Sequence, residues 1–266
     1  VSNTISVGIN GSCGRMGQRI VHLCACDPEL TIGLALERPE HPKIGHDIGI
    51  LSGIEKQDIS LTTEISHSVD CIIDFSLPEA AIGVTESCEK WSIPLVMATT
   101  GLSSEQRARV ESASQSIPVL LAPNMSLAVN LLMKLVRDAA LALNGNSDGV
   151  DVEILERHHR FKEDAPSGTA LEFGNIISQE MGQTTHAHGR EGRPGARPAN
   201  EIGYHAIRTG DNVGQHTIVF GLMGETLELA HRAQTRDCYA RGAIMAAKFL
   251  AGQPAGMYSM ENLLFP

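Results

Sequence analysis

The chain has 266 residues, 42% of them hydrophobic, and a formal charge of −10. This length and composition exclude a disordered chain and predict a globular protein of one large or two small domains. The acidic balance argues against nonspecific nucleic-acid binding, which needs a basic footprint, and no apolar run reaches the roughly 18 residues of a membrane helix.

Residues 1–10 lack the basic start and apolar stretch of a signal peptide, so a cytoplasmic protein is expected. Ile5 to Asn10 reads as a short strand. Gly11, Gly14 and Gly17 follow at once and lead into the helical pattern Met16, Ile20, Leu23, Cys24. A strand, a glycine turn and a helix form a variant of the dinucleotide fingerprint, in which small residues let a pyrophosphate approach backbone N–H groups. A glycine run alone is also an ordinary tight turn. The second apolar run, Leu30 to Leu36, adds weight because it ends in Glu37, 20 residues after Gly17, where an acid accepts the ribose hydroxyls of NADH. Arg38 stands beside it, placed to hold the 2′-phosphate of NADPH with help from Arg15, so both cofactors are expected to be usable.

Further strands over Val69 to Phe75, Pro94 to Met97 and Pro118 to Leu121 alternate with helices starting at Glu79, Ser103 and Ser126. Such alternation predicts a parallel sheet covered on both faces, with ligands beyond the carboxyl ends of its strands. Phe75 and Ser76, Ala98 to Gly101, and Ala122 to Met125 should therefore face the cofactor, with the Thr99 and Thr100 hydroxyls toward the nicotinamide. The six cysteines contain no Cys-x-x-Cys pair, and Cys24 and Cys26 read as members of one helix. No disulfide framework, metal site or catalytic thiol is expected; Cys71 reads as core filling and Cys13 as part of a loop that works through its backbone.

From Gly149 the texture changes. Val150 to Ile154, Gln215 to Phe220 and Glu225 to Ala230 alternate with period two, predicting a mixed or antiparallel sheet with one covered face. Between them, Glu156 to Ala170 places Arg157, His158, His159, Arg160 and Lys162 just before a helix start at Ser167-Gly168-Thr169. Clustered cations beside unpaired helix N–H groups describe a pocket for a small anion, and the histidines and lysine bring proton-transfer capacity. Thr169 with Glu172 also reads as a capping box, which accounts for those two residues but not for the histidines. Residues 182–201 read as a long structureless loop, a lid or an element exchanged with a neighbouring subunit; its His186 and His188 lack a third metal ligand. Arg208 to Thr217 reads as a turn between strands, and Tyr239 to Leu250 as an amphipathic helix returning to the first domain.

Taken together, Gly11 to Gly17 with Arg15-Met16-Gly17, Asp74-Phe75-Ser76, Thr99-Thr100-Gly101, Pro123-Asn124-Met125-Ser126 and above all Glu156 to Ala170 resemble the 4-hydroxy-tetrahydrodipicolinate (dihydrodipicolinate) reductases of diaminopimelate and lysine biosynthesis. The resemblance runs almost end to end. It implies an α/β architecture: a Rossmann-type dinucleotide-binding domain over residues 1–129, completed by 239–266, and an α+β substrate and tetramerisation domain with a mixed sheet over 130–238. It also implies a homotetramer, a small dicarboxylate substrate, and NADH or NADPH as cofactor. His158 would donate or accept the proton, Lys162 would donate a proton, His159 would touch the substrate, and Gly168 and Thr169 would cradle a carboxylate. Gly11, Ser12, Cys13, Gly14, Arg15, Met16, Glu37, Arg38, Ala98, Thr99, Thr100, Ala122, Pro123, Asn124 and Met125 would meet the cofactor. Met125, Ala98 and Gln215 depart from the residues common in the family, which bears on nicotinamide packing. Two other readings remain: a reductase of another small carboxylate, and a dinucleotide sensor without turnover.

Overall fold

The computed structural model describes residues 4–265. In chain order its elements are β1 (Ile5–Asn10), α1 (Arg15–Ala25), β2 (Leu30–Leu36), α2 (Ile48–Leu51), β3 (Leu61–Thr62), β4 (Cys71–Asp74), α3 (Pro78–Trp91), β5 (Leu95–Met97), α4 (Ser104–Ala113), β6 (Pro118–Leu121) and α5 (Leu127–Leu143). They continue with β7 (Asp151–His158), α6 (Gly168–Met181), β8 (Thr185–His188), β9 (Glu201–Arg208), β10 (Gly214–Leu222), β11 (Glu225–Ala233), α7 (Asp237–Leu250), β12 (Gly256–Tyr258) and α8 (Met260–Leu264). Two compact units result: one runs to Leu127 and resumes at Arg236, and the other is Ala128–Thr235.

The first unit holds a seven-stranded sheet in the order β12-β6-β5-β4-β1-β2-β3, with all its ladders parallel. This is the doubly wound arrangement, and period-two alternation feeds both faces. Val7, Ile9, Cys71, Ile73, Val96 and Leu120 pack with Ile20 and Val21 of α1 and Ala243 and Ala247 of α7. Ile72, Leu95, Met97 and Val119 pack on the other side with Val84 of α3 and Val110 of α4. Helix α7 belongs to this core, and β12 adds a strand that the sequence pattern did not announce.

Close approach at the glycine turn explains two of its glycines. Gly11 has φ +75°, and a Cβ on Gly17 would lie 2.2 Å from the Gly11 carbonyl oxygen and 2.6 Å from Ser12 Cα. Both obstacles are backbone, so Gly17→Ala must push α1 away from β1. We expect a destabilisation of about 1–3 kcal/mol with weakened dinucleotide binding; an unaltered melting temperature and unaltered NADH affinity would refute this close-packing role.

The second unit holds a five-stranded sheet in the order β11-β10-β7-β9-β8. Its β7–β9 and β8–β9 ladders are parallel and its β10 ladders antiparallel, so the sheet is mixed, as expected. Val152, Ile154, Ile218 and Phe220 form the covered face against Val136 of α5 and Phe173 and Ile177 of α6.

Three local expectations are corrected. Cys26 is the C-cap of α1 and not part of it, because the following Asp27-Pro28 turns the chain out of helical geometry. The N-cap of α6 is Ser167, whose Oγ accepts the Ala170 N–H at 3.3 Å, and no Thr169–Glu172 capping box forms. The Glu172 carboxylate instead accepts from Asn175 Nδ2 at 3.3 Å. Residues 182–201 are not structureless: β8 pairs with β9, and Arg190 and Arg197 are anchored on Glu153, at 2.6 and 3.0 Å. Burial alone would raise the Glu153 carboxyl, but its bonds from Arg190, His205 and Arg197 outweigh that and hold it at about 2. Glu153 alternates with Glu156 on β7, so this anchor lies on the sheet face opposite His158.

Candidate active site

In the first unit the carboxyl ends of β1, β2, β4, β5 and β6 share one edge, because all five strands are parallel neighbours. A cleft of about 710 Å³ opens there, lined by Gly11, Cys13, Gly14, Glu37 and Arg38 together with Phe75 and Ser76. Glu37 is fixed by two backbone donors, Cys13 N–H at 3.3 Å and Arg38 N–H at 3.1 Å. Arg38 itself is exposed. No side chain caps α1, so the first N–H groups of the helix, at Arg15 and Met16, are left to an outside acceptor. A glycine-bounded turn, an open helix start and a fixed acid at the end of β2 fit a dinucleotide.

The same edge shows how the other predicted cofactor residues contribute. Ser12 is fully buried, and its N–H and hydroxyl both donate to the Leu36 carbonyl, at 3.1 and 2.9 Å. Thr99 Oγ1 donates to buried Asp74 at 2.5 Å, and Asn10 Nδ2 donates to the other carboxylate oxygen at 2.6 Å. Burial outweighs these bonds and raises the Asp74 carboxyl above its ordinary value. The Thr99 hydroxyl proton is thus committed to Asp74. Ala98, Ala122 and Met125 are core residues, and the Met125 carbonyl is where a Cβ on Gly242 of α7 would strike, at 1.7 Å. These three shape the edge by packing. Thr100 and Pro123 are exposed, and Asn124 Oδ1 accepts from Ser126 N–H at 2.9 Å.

In the second unit, alternation along β7 puts Glu156 and His158 on the buried face beyond Val152 and Ile154. A carboxylate there must find donors. Glu156, 2% exposed, receives His158 Nδ1 at 2.6 Å, Ser167 N–H at 3.1 Å, and Arg208 through both terminal nitrogens at 2.8 and 2.7 Å. Parallel register sets Arg208 opposite His158. Burial alone would raise the Glu156 carboxyl, but the His158 and Arg208 bonds outweigh it and hold it at about 2. It is therefore a carboxylate at neutral pH, which places the His158 proton on Nδ1 and directs Nε2 away from Glu156.

His216 packs edge-on to His158, with ring centres 5.3 Å apart, and its Nε2 lies 3.2 Å from Ser167 Oγ. Burial first, then His158 and His231, push its imidazole down to about 3, so it is neutral at working pH. Ser167 thereby joins β10, the end of β7 and the start of α6. At that start, Gly168 is exposed, and a Cβ there would meet nothing within 4 Å. Lys162 pairs with Asp164 at 2.8 Å, and His159 tilts over Phe161 at 6.2 Å. Sequence reasoning gave no role to Glu156, Arg208 or His216. A glutamate in phase with the apolar positions of β7 was the available signal for the first of them; nothing local marked the others.

A doubly wound dinucleotide-type sheet with a second unit built around a histidine–carboxylate pair defines the class of two-domain nicotinamide-dependent oxidoreductases. Residues 5–125 match the family described as dihydrodipicolinate reductase, N-terminus, and residues 128–264 its C-terminus. The chain belongs to the dihydrodipicolinate reductase family. It is 50% identical, over 98% of its own length and 96% of the relative's, to a 4-hydroxy-tetrahydrodipicolinate reductase of Rhodopirellula baltica. It is 42% identical to the one of Syntrophotalea carbinolica, over 98% of both. A dipicolinate-bound dihydrodipicolinate reductase from Paenisporosarcina sp. TG-14 superimposes with a TM-score of 0.74 at 25% identity, covering 97% of this chain and 99% of that one. An amine dehydrogenase from Mycobacterium smegmatis, 12% identical with a TM-score of 0.62 over 97% of this chain and 95% of that one, shares the fold. Among the described residues, no helix is long and apolar enough to cross a membrane.

Proposed function

We propose that this chain converts 4-hydroxy-tetrahydrodipicolinate to tetrahydrodipicolinate in diaminopimelate and lysine biosynthesis, consuming NAD(P)H and one proton and releasing NAD(P)⁺ and water. The observation that carries the residue-level reading is the buried Glu156–His158 pair at 2.6 Å beside the start of α6. The nicotinamide, when bound, supplies the hydride. Hydride delivery leaves negative charge on the substrate ring, and a nearby acid must quench it. Glu156 fixes the His158 ring through Nδ1, so Nε2 is the nitrogen that delivers the proton. Lys162 leaves Asp164 to offset the developing charge or share that proton, and His159 contacts the substrate. A carboxylate lies on the N–H groups of Gly168 and Thr169, where the helix dipole favours an anion. The substrate is thereby oriented before the reaction, which supplies much of the rate.

On the cofactor side, Gly11 to Met16 take the pyrophosphate and Glu37 the ribose hydroxyls, with Thr100 and Ala122 to Met125 bordering the nicotinamide end. Arg38 reaches the 2′-phosphate when NADPH is used. Arg38→Ala should raise the KM for NADPH roughly tenfold more than that for NADH, the loss of one charge-assisted contact; equal effects would remove the phosphate contact. A cytoplasmic homotetramer completes the reading. Self-association through the second sheet is supported by Leu155 and Ile207 on its face away from the core, 36% and 39% exposed.

The test follows absorbance of NADH and NADPH with substrate generated in place from pyruvate and aspartate semialdehyde by a coupled synthase. Oxidation that depends on both precursors is expected. Bound cofactor with no oxidation would transfer the enzyme to another carboxylate.

A further inference from the structure

Cys13, Glu37 and His41 converge in the cleft of the first unit, with one ligand atom of each within 4.8 Å of the other two. They come from three segments: the turn after β1, the end of β2 and the loop beyond it. All three line the cleft, and none is fully buried. A thiolate, a carboxylate and a neutral imidazole are the donor types that Zn²⁺ and Cd²⁺ prefer, and their net charge of about −2 balances a divalent ion. A tetrahedral ion with bonds of about 2.0–2.3 Å needs donors roughly 3.5 Å apart, a small side-chain adjustment from the present spacing.

The surroundings are those of a metal ligand set. Glu37 is already oriented by the Cys13 and Arg38 N–H groups, the outer-shell support that ligating carboxylates need. His41 is held in a turn by its N–H bond to the Arg38 carbonyl at 3.0 Å, and Lys43 N–H reaches its ring Nδ1 at a long 3.4 Å. Burial and the neighbouring Glu37 raise the Cys13 thiol, with Lys43 opposing, so an ion must displace a proton to bind. Lys43 and Arg38 are the nearby cations that act against it.

We infer that Cys13, Glu37 and His41 form a binding site for a borderline-soft divalent cation, open on one side for a water, that competes with the dinucleotide for the same cleft. The competition rests on the ribose contact proposed for Glu37, whereas metal binding itself does not. Occupation removes the acid from the ribose hydroxyls, so the ion inhibits by exclusion.

The full-length, reduced and metal-free protein is titrated with Cd²⁺, read by the ultraviolet absorbance of the cadmium–thiolate bond and by calorimetry. One Cd²⁺ per chain is expected, with proton release. Cys13→Ser should abolish the absorbance, Cys26→Ser should leave it intact, and His41→Ala should weaken binding at least about tenfold. A signal that survives Cys13→Ser, or one unaffected by His41→Ala, overturns the site. Saturating NADH should raise the apparent Kd for Cd²⁺ by a factor of one plus the ratio of free NADH to its own Kd. Cys13-dependent binding that NADH does not disturb overturns the competition and removes Glu37 from the ribose, while leaving the reductase assay to judge the activity separately.

Discussion

His158→Gln is expected to lower kcat by about a hundred- to ten-thousandfold, the contribution of a positioned proton donor, while leaving the Kd for NADH unchanged. Glutamine keeps a side-chain amide that can donate to Glu156 but carries no proton that it can release at neutral pH. The residues proposed to hold the cofactor all belong to the other unit, so the two readouts are expected to be independent. Steady-state turnover combined with fluorescence titration of NADH separates them. Unaltered turnover would remove His158 from the chemistry; a matching loss of NADH affinity would make the effect structural.

Arg208→Met is expected to be the most damaging change for stability among the site residues. Arg208 supplies two of the four hydrogen bonds on a carboxylate that is 2% exposed, and its removal leaves only the His158 ring and the Ser167 N–H as donors among those bonds. Breaking a buried pair from one side costs about 3–5 kcal/mol. The pH dependence has a definite sign. Glu156 is held at about 2 in the folded chain against an ordinary 4.5, so between those values the unfolded state binds the extra proton. Its contribution, on the order of 3 kcal/mol, is complete above pH 4.5 and is lost as pH falls toward 2. In Arg208→Met the folded carboxyl rises, the window narrows from below, and the contribution above pH 4.5 shrinks. Urea denaturation at pH 7 and pH 4 measures both; a variant as stable as the parent at pH 7 would show that His158 and the Ser167 N–H suffice.

Much of the first unit's cleft was legible because its signals are local. The turn from β1 to α1 is marked by Gly11, Gly14 and Gly17, and Glu37 falls at the end of an apolar run that the structure reproduces residue for residue as β2. Turn chemistry and strand period act over a few residues, so one sequence displays them. The capping residue of α6 was misread for a related reason. Ser167 and Thr169 both satisfy the capping pattern, and the choice between them is settled by a tertiary bond, Ser167 N–H to Glu156, 11 residues away.

The sequence by itself determined the main strand–helix alternation of the first unit, the family, and the stretch that bears His158, His159 and Lys162. Only the tertiary structure decided what those residues answer to. Arg208 reaches Glu156 across 52 residues, and His216 reaches Ser167 across 49, because parallel and antiparallel ladders bring β9 and β10 to either side of β7. The same holds for Cys13 and Glu37, which meet across 24 residues only because β1 pairs with β2. Strand register carries no mark in the spacing of the residues it joins. A buried charge is stable only when that register supplies its partner.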